Sequence, residues 1–214
     1  MITLEQRISK LESLFSKLIS DVKSDIRVSL PAKVISFDKE KQTISCIPTV
    51  RELVNINGQV KYVDLPVLED VPIQMPRAGG WIITLPIKPG DECMVIFQDL
   101  CIDGWWFRGD IQNWNDLRRH DFSDAIATFS PWSQPNVISN YFEDGIELRS
   151  VDGSTKITIE SGKISILGDL EVTGKISASD TITSDVDVIA GTISGKTHKH
   201  TGVQTGSGNT GGPL

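Results

Sequence analysis

The sequence is short of several features that common classes of protein require. Its three cysteines, Cys46, Cys93 and Cys101, are an odd number without metal-type spacing, so we expect reduced, buried thiols. No apolar run approaches the ~20 residues of a membrane span, and the charged, amphipathic N-terminus does not predict a signal peptide. A net charge of −7 provides no surplus of Lys and Arg for phosphate, which argues against nucleic acid as a partner.

Residues 1–24 have the pattern of an amphipathic helix. Thr3 and Gln6 form a capping box at its start. Apolar residues then recur at alternating spacings of four and three, the seam of a coiled coil, at Leu4, Ile8, Leu11, Phe15, Leu18 and Val22. Three readings stay open: packing on its own domain, packing against other copies, or docking on a partner protein.

Residues 25–142 predict a compact β-domain. Short β-rich runs are separated by glycine, proline and charged turns, which is typical of a small Greek-key barrel such as an OB-fold. The predicted strands are residues 27–37, 42–54, 60–67, 81–86 and 92–97.

Two clusters stand out in this domain. Gly104, Trp105, Trp106 and Phe107 suggest core or a subunit interface, with a stacking platform as the alternative. The second cluster is polar and is interpreted as a salt-bridged loop rather than a catalytic site; it contains Arg118, Arg119, His120, Asp121 and Asp124.

Residues 143–195 show two superimposed periods. Between residues 164 and 190 apolar side chains fall mostly on even positions, which predicts extended strand with one buried face. Residues that tolerate left-handed turns recur every six positions, at Gly162, Gly168, Gly174 and Asp180, so we expect corners there. A short strand, a corner and another short strand are typical of a β-solenoid or triangular β-prism.

One chain has too little apolar material here for a core of its own. Its inward residues are single aliphatics, and about 50 residues bury only a thin core. Three chains wound about one axis would complete the core and remove exposed strand edges. We therefore expect a homotrimer with an intertwined triple-stranded β-helix.

Residues 196–214 form a glycine-rich tip without aromatic residues other than histidine. His198 and His200 are two apart, so on an extended segment both would face the same side. Three chains would bring six imidazoles together, and six nitrogen donors suit an octahedral transition metal such as iron or nickel. A metal would order residues that have few hydrophobic means of packing.

Here the sequence resembles a known family. The six-residue β-pattern, the pair His198 and His200, and the closing residues 202–213 (GVQTGSGNTGGP) resemble the central spike proteins of contractile-tailed bacteriophages. Residues 118–125 (RRHDFSDA) resemble an element of their OB domain. The resemblance implies a non-enzymatic virion homotrimer with an OB domain, a triple-stranded β-helix and an iron-capped apex. It also implies attachment to the baseplate hub and piercing of the host outer membrane when the sheath contracts.

Two other functions compete with this one. Trimeric phage β-helices also include receptor-binding and polysaccharide-degrading tailspikes, which need paired carboxylates beside stacking aromatics. This sequence has acids at Asp169, Glu171, Asp185 and Asp187 but no Phe, Trp or Tyr after Phe142. A sugar- or nucleic-acid-binding OB module is the other rival, with Trp105, Trp106 and Arg108 as its candidates.

Overall fold

The computed structural model describes residues 4–129, 131–202 and 206. The chain divides into two compact units, Met1–Ser139 and Asn140–Leu214. Among the helices and strands of the described residues, strands outnumber helices in both units, which confirms the predicted mainly β class.

The first unit begins with helix α1, Leu4–Asp25. Lys23 lies in its last turn, where a positive charge interacts favourably with the helix dipole. Strand β1 begins four residues after the helix ends, at Ser29.

A closed five-stranded barrel follows α1. Its strands are β1 (Ser29–Asp38), β2 (Thr43–Pro48), β5 (Leu68–Gln74), β8 (Glu92–Phe97) and β9 (Ala125–Thr128). Neighbouring strands around the barrel are β1, β2, β5, β9 and β8, and β8 closes the barrel by pairing with β1. β5 and β9 run parallel, and the other pairs are antiparallel. This strand order is compatible with the OB-fold-like barrel predicted from the sequence.

The prediction that residues 60–67 and 81–86 form two strands of the barrel is wrong. These residues contribute to short ladders outside it, and the third and fifth barrel strands in chain order are instead β5 and β9. Pro72 lowers the strand signal of β5, and Asp70 breaks its regular path with a φ of 53°. β9 has four residues and comes directly after the polar cluster, so its own pattern is too short to recognise.

The remaining elements of the first unit lie outside the barrel. β3 (Glu52–Ile56) pairs with β4 (Gln59–Val63), and β6 (Arg77–Ala78) pairs with β7 (Trp81–Ile82). A short helix, α2 (Asp103–Arg108), and two 3-10 turns, Phe122–Asp124 and Gln134–Asn136, connect or flank the later strands.

The core of the first unit is the barrel interior. Alternate residues of the strands point inward because successive side chains of a strand face opposite sides. Cys46, Cys93 and Cys101 are free and buried, as predicted. The buried cluster consists of Ala32, Val34, Ile44, Cys46, Leu68, Val71, Cys93, Val95, Phe97, Ala125 and Ala127.

The second unit opens with an antiparallel three-stranded sheet made of β10 (Ile146–Arg149), β11 (Lys156–Glu160) and β12 (Lys163–Leu167). Gly145 precedes it at a position where a Cβ would collide with the carbonyl oxygen of Ile159. Later in the unit, β13 (Ile189–Ala190) and β14 (Ile193–Ser194) form a short hairpin.

The six-residue corner pattern is present in the backbone. The chain turns or bends at Gly162, Gly168, Gly174 and Asp180, which confirms the predicted corners. Gly162 and Gly168 have positive φ angles of 76° and 124°, conformations that favour glycine. The Asp180 side chain is exposed and accepts a hydrogen bond from the backbone N–H of Thr181 at 2.6 Å.

The described residues of the second unit form no hydrophobic core within a single chain. Among its described residues, 140–202 and 206, only Thr158 is buried. Side chains on the predicted inner face are mostly in contact with solvent: Ile176 is 72% exposed and Ile182 is 68% exposed. The triple-stranded β-helix remains a prediction for the assembled protein.

Candidate functional site

The histidine tip follows directly from the β13–β14 hairpin. The backbone N–H of His198 lies 3.2 Å from the carbonyl oxygen of Ser194, the last residue of β14. The Nδ1 atom of the His198 ring lies 2.8 Å from the same oxygen. Because a carbonyl oxygen only accepts, this contact requires Nδ1 to carry the proton. The other ring nitrogen, Nε2, is then left with the lone pair that a metal requires.

Asp187 holds the turn on which His198 sits. One of its carboxylate oxygens accepts hydrogen bonds from the backbone N–H groups of Val188 (2.7 Å) and Lys196 (3.0 Å). The other accepts from the hydroxyl of Ser194. These bonds, led by the one from Ser194, lower the pKa of the Asp187 carboxyl below its ordinary value. Asp187 therefore connects the start of the hairpin with the residues after it.

Ser194 extends this network toward the histidines. Its hydroxyl oxygen accepts from both the backbone N–H and the hydroxyl of Thr197, each at 2.9 Å. The hydroxyl and the carbonyl of one residue thus contact Asp187, Thr197 and His198. We call the network of Asp187, Ser194, Thr197 and His198 the tip turn.

The two histidine rings of one chain lie close enough together to share a metal ion. Their ring centroids are 5.1 Å apart and the ring planes are inclined by 78°. Two imidazoles bound to one ion through bonds of about 2.1 Å have centres no more than roughly 6.5 Å apart. The pair also offers nitrogen donors, which suit borderline transition metals better than Mg²⁺ or Ca²⁺. Of the predicted tail, residues 203–205 and 207–214 lie outside the described residues.

A second group of ligand-type side chains lies beside the barrel. Cys101, Asp103 and Asp124 each have a donor atom within 4.8 Å of the others. The Arg118 guanidinium occupies the space among them, at 2.6 Å from Asp103, 2.7 Å from Asp124 and 3.2 Å from the Cys101 sulfur. The hydrogen bonds to Asp124 and Asp103 raise the pKa of Arg118. This group therefore surrounds a fixed positive charge and does not fit a metal ion.

The arrangement around Arg118 confirms the predicted salt-bridged loop in most respects. Arg119 and His120 both approach Asp99, at 3.3 Å and 3.4 Å. Asp121 instead caps a 3-10 turn by accepting from the backbone N–H of Ser123 at 2.9 Å. Asp99 and Asp103 were not expected in this cluster, and Cys101 was expected only as a buried thiol, because all three lie 15 or more positions before their partners.

Arg118 is expected to be a strong determinant of the stability of the first unit. The Asp124 side chain is 0% exposed, so Arg118→Met would leave a buried carboxylate without its charged partner. We expect the free energy of unfolding to fall by about 3 kcal/mol. Urea unfolding followed by tryptophan fluorescence would measure the change, since all five tryptophans precede residue 140.

Arg119→Met is the matched control for this measurement. Arg119 is 55% exposed and pairs with an Asp99 that is 69% exposed, so we expect a change below about 1 kcal/mol. Equal losses for the two variants would contradict the structural role assigned to Arg118.

The aromatic cluster around α2 is not part of the barrel core. Trp105, Trp106 and Phe107 are 47%, 38% and 83% exposed. The expectation of a core location is therefore wrong, because α2 lies outside the barrel. The interface and stacking alternatives are not affected by this result.

No helix in the described part of the chain combines the length and the hydropathy needed to cross a bilayer.

Comparison with known families gives two matches, at opposite ends of the chain. Residues 30–130, which contain the barrel, match the family described as the phage protein Gp138 N-terminal domain. Residues 193–213, which contain both tip histidines, match the GpV apex motif. No curated protein matches the chain significantly. Together, the barrel match and the apex match indicate a central spike protein of a phage baseplate.

Proposed function

We propose that three copies of the chain form a spike that pierces the host outer membrane when a contractile tail sheath fires. The observation that carries the proposal concerns the described residues of the second unit, in which the backbone bends every six residues from 162 onward and almost no side chain is buried. An extended segment with one exposed aliphatic face needs other chains to cover it. Threefold winding would cover that face and would pair the strand edges.

The dimensions expected for such a shaft suit a bilayer. Three interleaved chains climb three strand spacings per turn, and a turn uses about 18 residues of each chain. At about 4.8 Å per spacing, residues 145–195 correspond to a length on the order of 40 Å. A bilayer with its headgroups is roughly 40–45 Å thick. The exposed Ser, Thr and Lys side chains would keep the needle soluble before contraction.

In this proposal His198 and His200 of three chains hold one transition metal ion, iron in the first instance. A bound ion would cross-link three chain ends. The apex match supports a metal-binding tip, and the ring spacing and the Nδ1 contact of His198 support these two residues as ligands. Six imidazole nitrogens suit the octahedral preference of iron or nickel. The tip turn holds His198 so that Nε2 is available.

The barrel unit is the part we assign to hub attachment within the virion baseplate. Its match to a phage protein domain supports that location. We assign no catalytic residue, because piercing requires stiffness and a small contact area rather than bond chemistry. The lack of Phe, Trp and Tyr after Phe142 also disfavours a polysaccharide-cleaving groove on the shaft.

Light scattering combined with metal analysis of the purified protein tests the proposal. We expect a particle close to three times 23.5 kDa carrying about one transition metal ion. A stable folded monomer would contradict it. Release of sugars from host surface polysaccharide would favour the tailspike alternative instead.

A further inference from the structure

Helix α1 carries an apolar face that its own unit leaves uncovered. The interpretation that α1 packs on its own barrel is therefore wrong. The opposite face is polar, with Lys10, Ser13, Ser16 and Lys17 exposed. Seven large apolar side chains are between 49% and 59% exposed: Ile8, Leu11, Leu14, Phe15, Leu18, Ile19 and Val22.

We propose that α1 associates with the α1 helices of two further copies as a parallel, in-register coiled coil. The inference builds on the proposed trimer and adds a second interface, in α1. In heptad terms Ile8, Phe15 and Val22 occupy a positions, and Leu11 and Leu18 occupy d positions. These five residues form the seam.

The flanking residues identify the neighbour as another copy of this chain. Leu14 is a g residue and Ile19 is the e residue five positions later. In a parallel, in-register coiled coil a g residue faces the e residue five positions later on the neighbouring helix. Leu14 of each copy would therefore meet Ile19 of the next, apolar against apolar. A helix of unrelated sequence would match these two positions only by coincidence.

The width of the apolar face favours three helices over two. β-branched a residues with leucine at d suit a two-stranded coil, and Ile8, Leu11, Leu18 and Val22 follow that pattern. Two strands, however, would leave Leu14 and Ile19 at the edge of the seam in water. Seven half-exposed side chains offer on the order of 600 Å² per helix, approaching the ~800 Å² per partner of a stable interface. A third helix covers this wider surface.

Cysteine cross-linking of the full-length protein tests this arrangement. Leu18→Cys places a thiol in the seam, and the native cysteines are all buried and so give little background. Under mild oxidation we expect covalent dimers that contain about two thirds of the chains, because each trimer leaves one thiol unpaired. Lys17→Cys, on the polar face, is the matched control and should not cross-link. Ile8→Cys should repeat the Leu18→Cys result one and a half heptads away.

The outcomes distinguish the coiled coil, its three-stranded form and the proposed function. A trimeric protein in which Leu18→Cys and Ile8→Cys both fail to cross-link would overturn the coiled coil but leave the spike trimer standing. Cross-linking of nearly all chains would overturn three-stranded packing. A wild-type monomer would overturn the proposed function itself.

The tip turn carries a second, independent inference: Asp187 is a positioning residue for the metal. Its carboxylate holds Val188, Ser194 and Lys196 together, and Ser194 in turn holds the ring of His198. A partner that orients a ligating histidine typically changes metal affinity by about 10–100-fold when it is lost. This inference rests on the proposed metal at His198 and His200.

Metal affinity measured by chelator competition tests Asp187. We expect Asp187→Ala to weaken binding by about 10–100-fold with an unchanged particle mass, and Ser194→Ala to weaken it less. Ser194→Thr keeps the hydroxyl and should restore affinity. Asp185→Ala removes an acid of the same charge that makes none of the tip-turn bonds, so affinity should not change. In the cobalt-substituted proteins, the spectrum of Asp187→Ala should differ from that of the wild type, whereas the spectrum of Asp185→Ala should not.

The results separate this inference from the proposed function. Metal in the wild type with equal affinity in Asp187→Ala and Asp185→Ala would overturn the role of Asp187. A wild type without metal would overturn the metal-capped tip.

Discussion

Ile176→Asp is expected to prevent assembly of the spike. In the proposed trimer, threefold winding would place three copies of residue 176 in one dry core, so a single substitution would bury three carboxylates at once. Each unpaired buried charge costs several kcal/mol or is neutralised by taking up a proton. We expect loss of the trimer, or a melting temperature so low that only unfolded chain is recovered. Light scattering and thermal unfolding would measure these outcomes.

Ser177→Asp is the matched control, one residue along and on the predicted outer face. In the single chain both Ile176 and Ser177 are exposed, so an isolated chain would tolerate both changes alike. A large difference between the two variants is therefore specific to the assembled shaft. Equal melting temperatures would show that the even positions do not form its interior.

Replacing both His198 and His200 with alanine is expected to abolish metal binding. Metal content should fall from about one ion per three chains to none, because all six imidazole donors are removed together. The particle mass should not change, because in the proposed spike the shaft, rather than the tip, holds the three chains together. Elemental analysis of the purified trimer would measure the loss.

Lys199→Ala is the control for the double histidine variant, because it changes the residue between them and keeps both rings. It should retain the metal. A double variant that still carried the metal would show that other residues bind it.

The tip illustrates how far sequence patterns reach into a site. His198 and His200 are recognisable because a two-residue spacing places both rings on one side of an extended chain. Asp187 was noted only as one of several acids on the shaft. Its role depends on a hairpin that returns the chain from residue 188 to residue 195, where Gly195 donates to the carbonyl of Val188 at 2.7 Å. The spacing of seven residues between Asp187 and Ser194 predicts no contact by itself, because only the hairpin brings the two side chains together.

The barrel shows the same division. β1 and β8 follow from their own alternating residues, but β5 contains Pro72 and β9 has only four residues. The chain nevertheless forms strands at both places because they complete the barrel: β9 pairs with β5 on one side and with β8 on the other. Hydrogen bonding to neighbours and burial of Ala125 and Ala127 outweigh a weak local preference.

The sequence alone determined the features with a short period: the amphipathic pattern of α1, the corners every six residues, the alternation of apolar and polar residues between 164 and 190, and the histidine pair. Each of these patterns can be recognised within a few consecutive residues, because the side-chain directions of a helix or a strand repeat over that distance. Tertiary structure decided which strands close the barrel, that Arg118 fills the space among Cys101, Asp103 and Asp124, and that Asp187 holds the tip turn. Those contacts join residues from 6 positions apart, as in Arg118 and Asp124, to 67 positions apart, as in Ser29 and Ile96, and no local preference specifies which distant groups will meet.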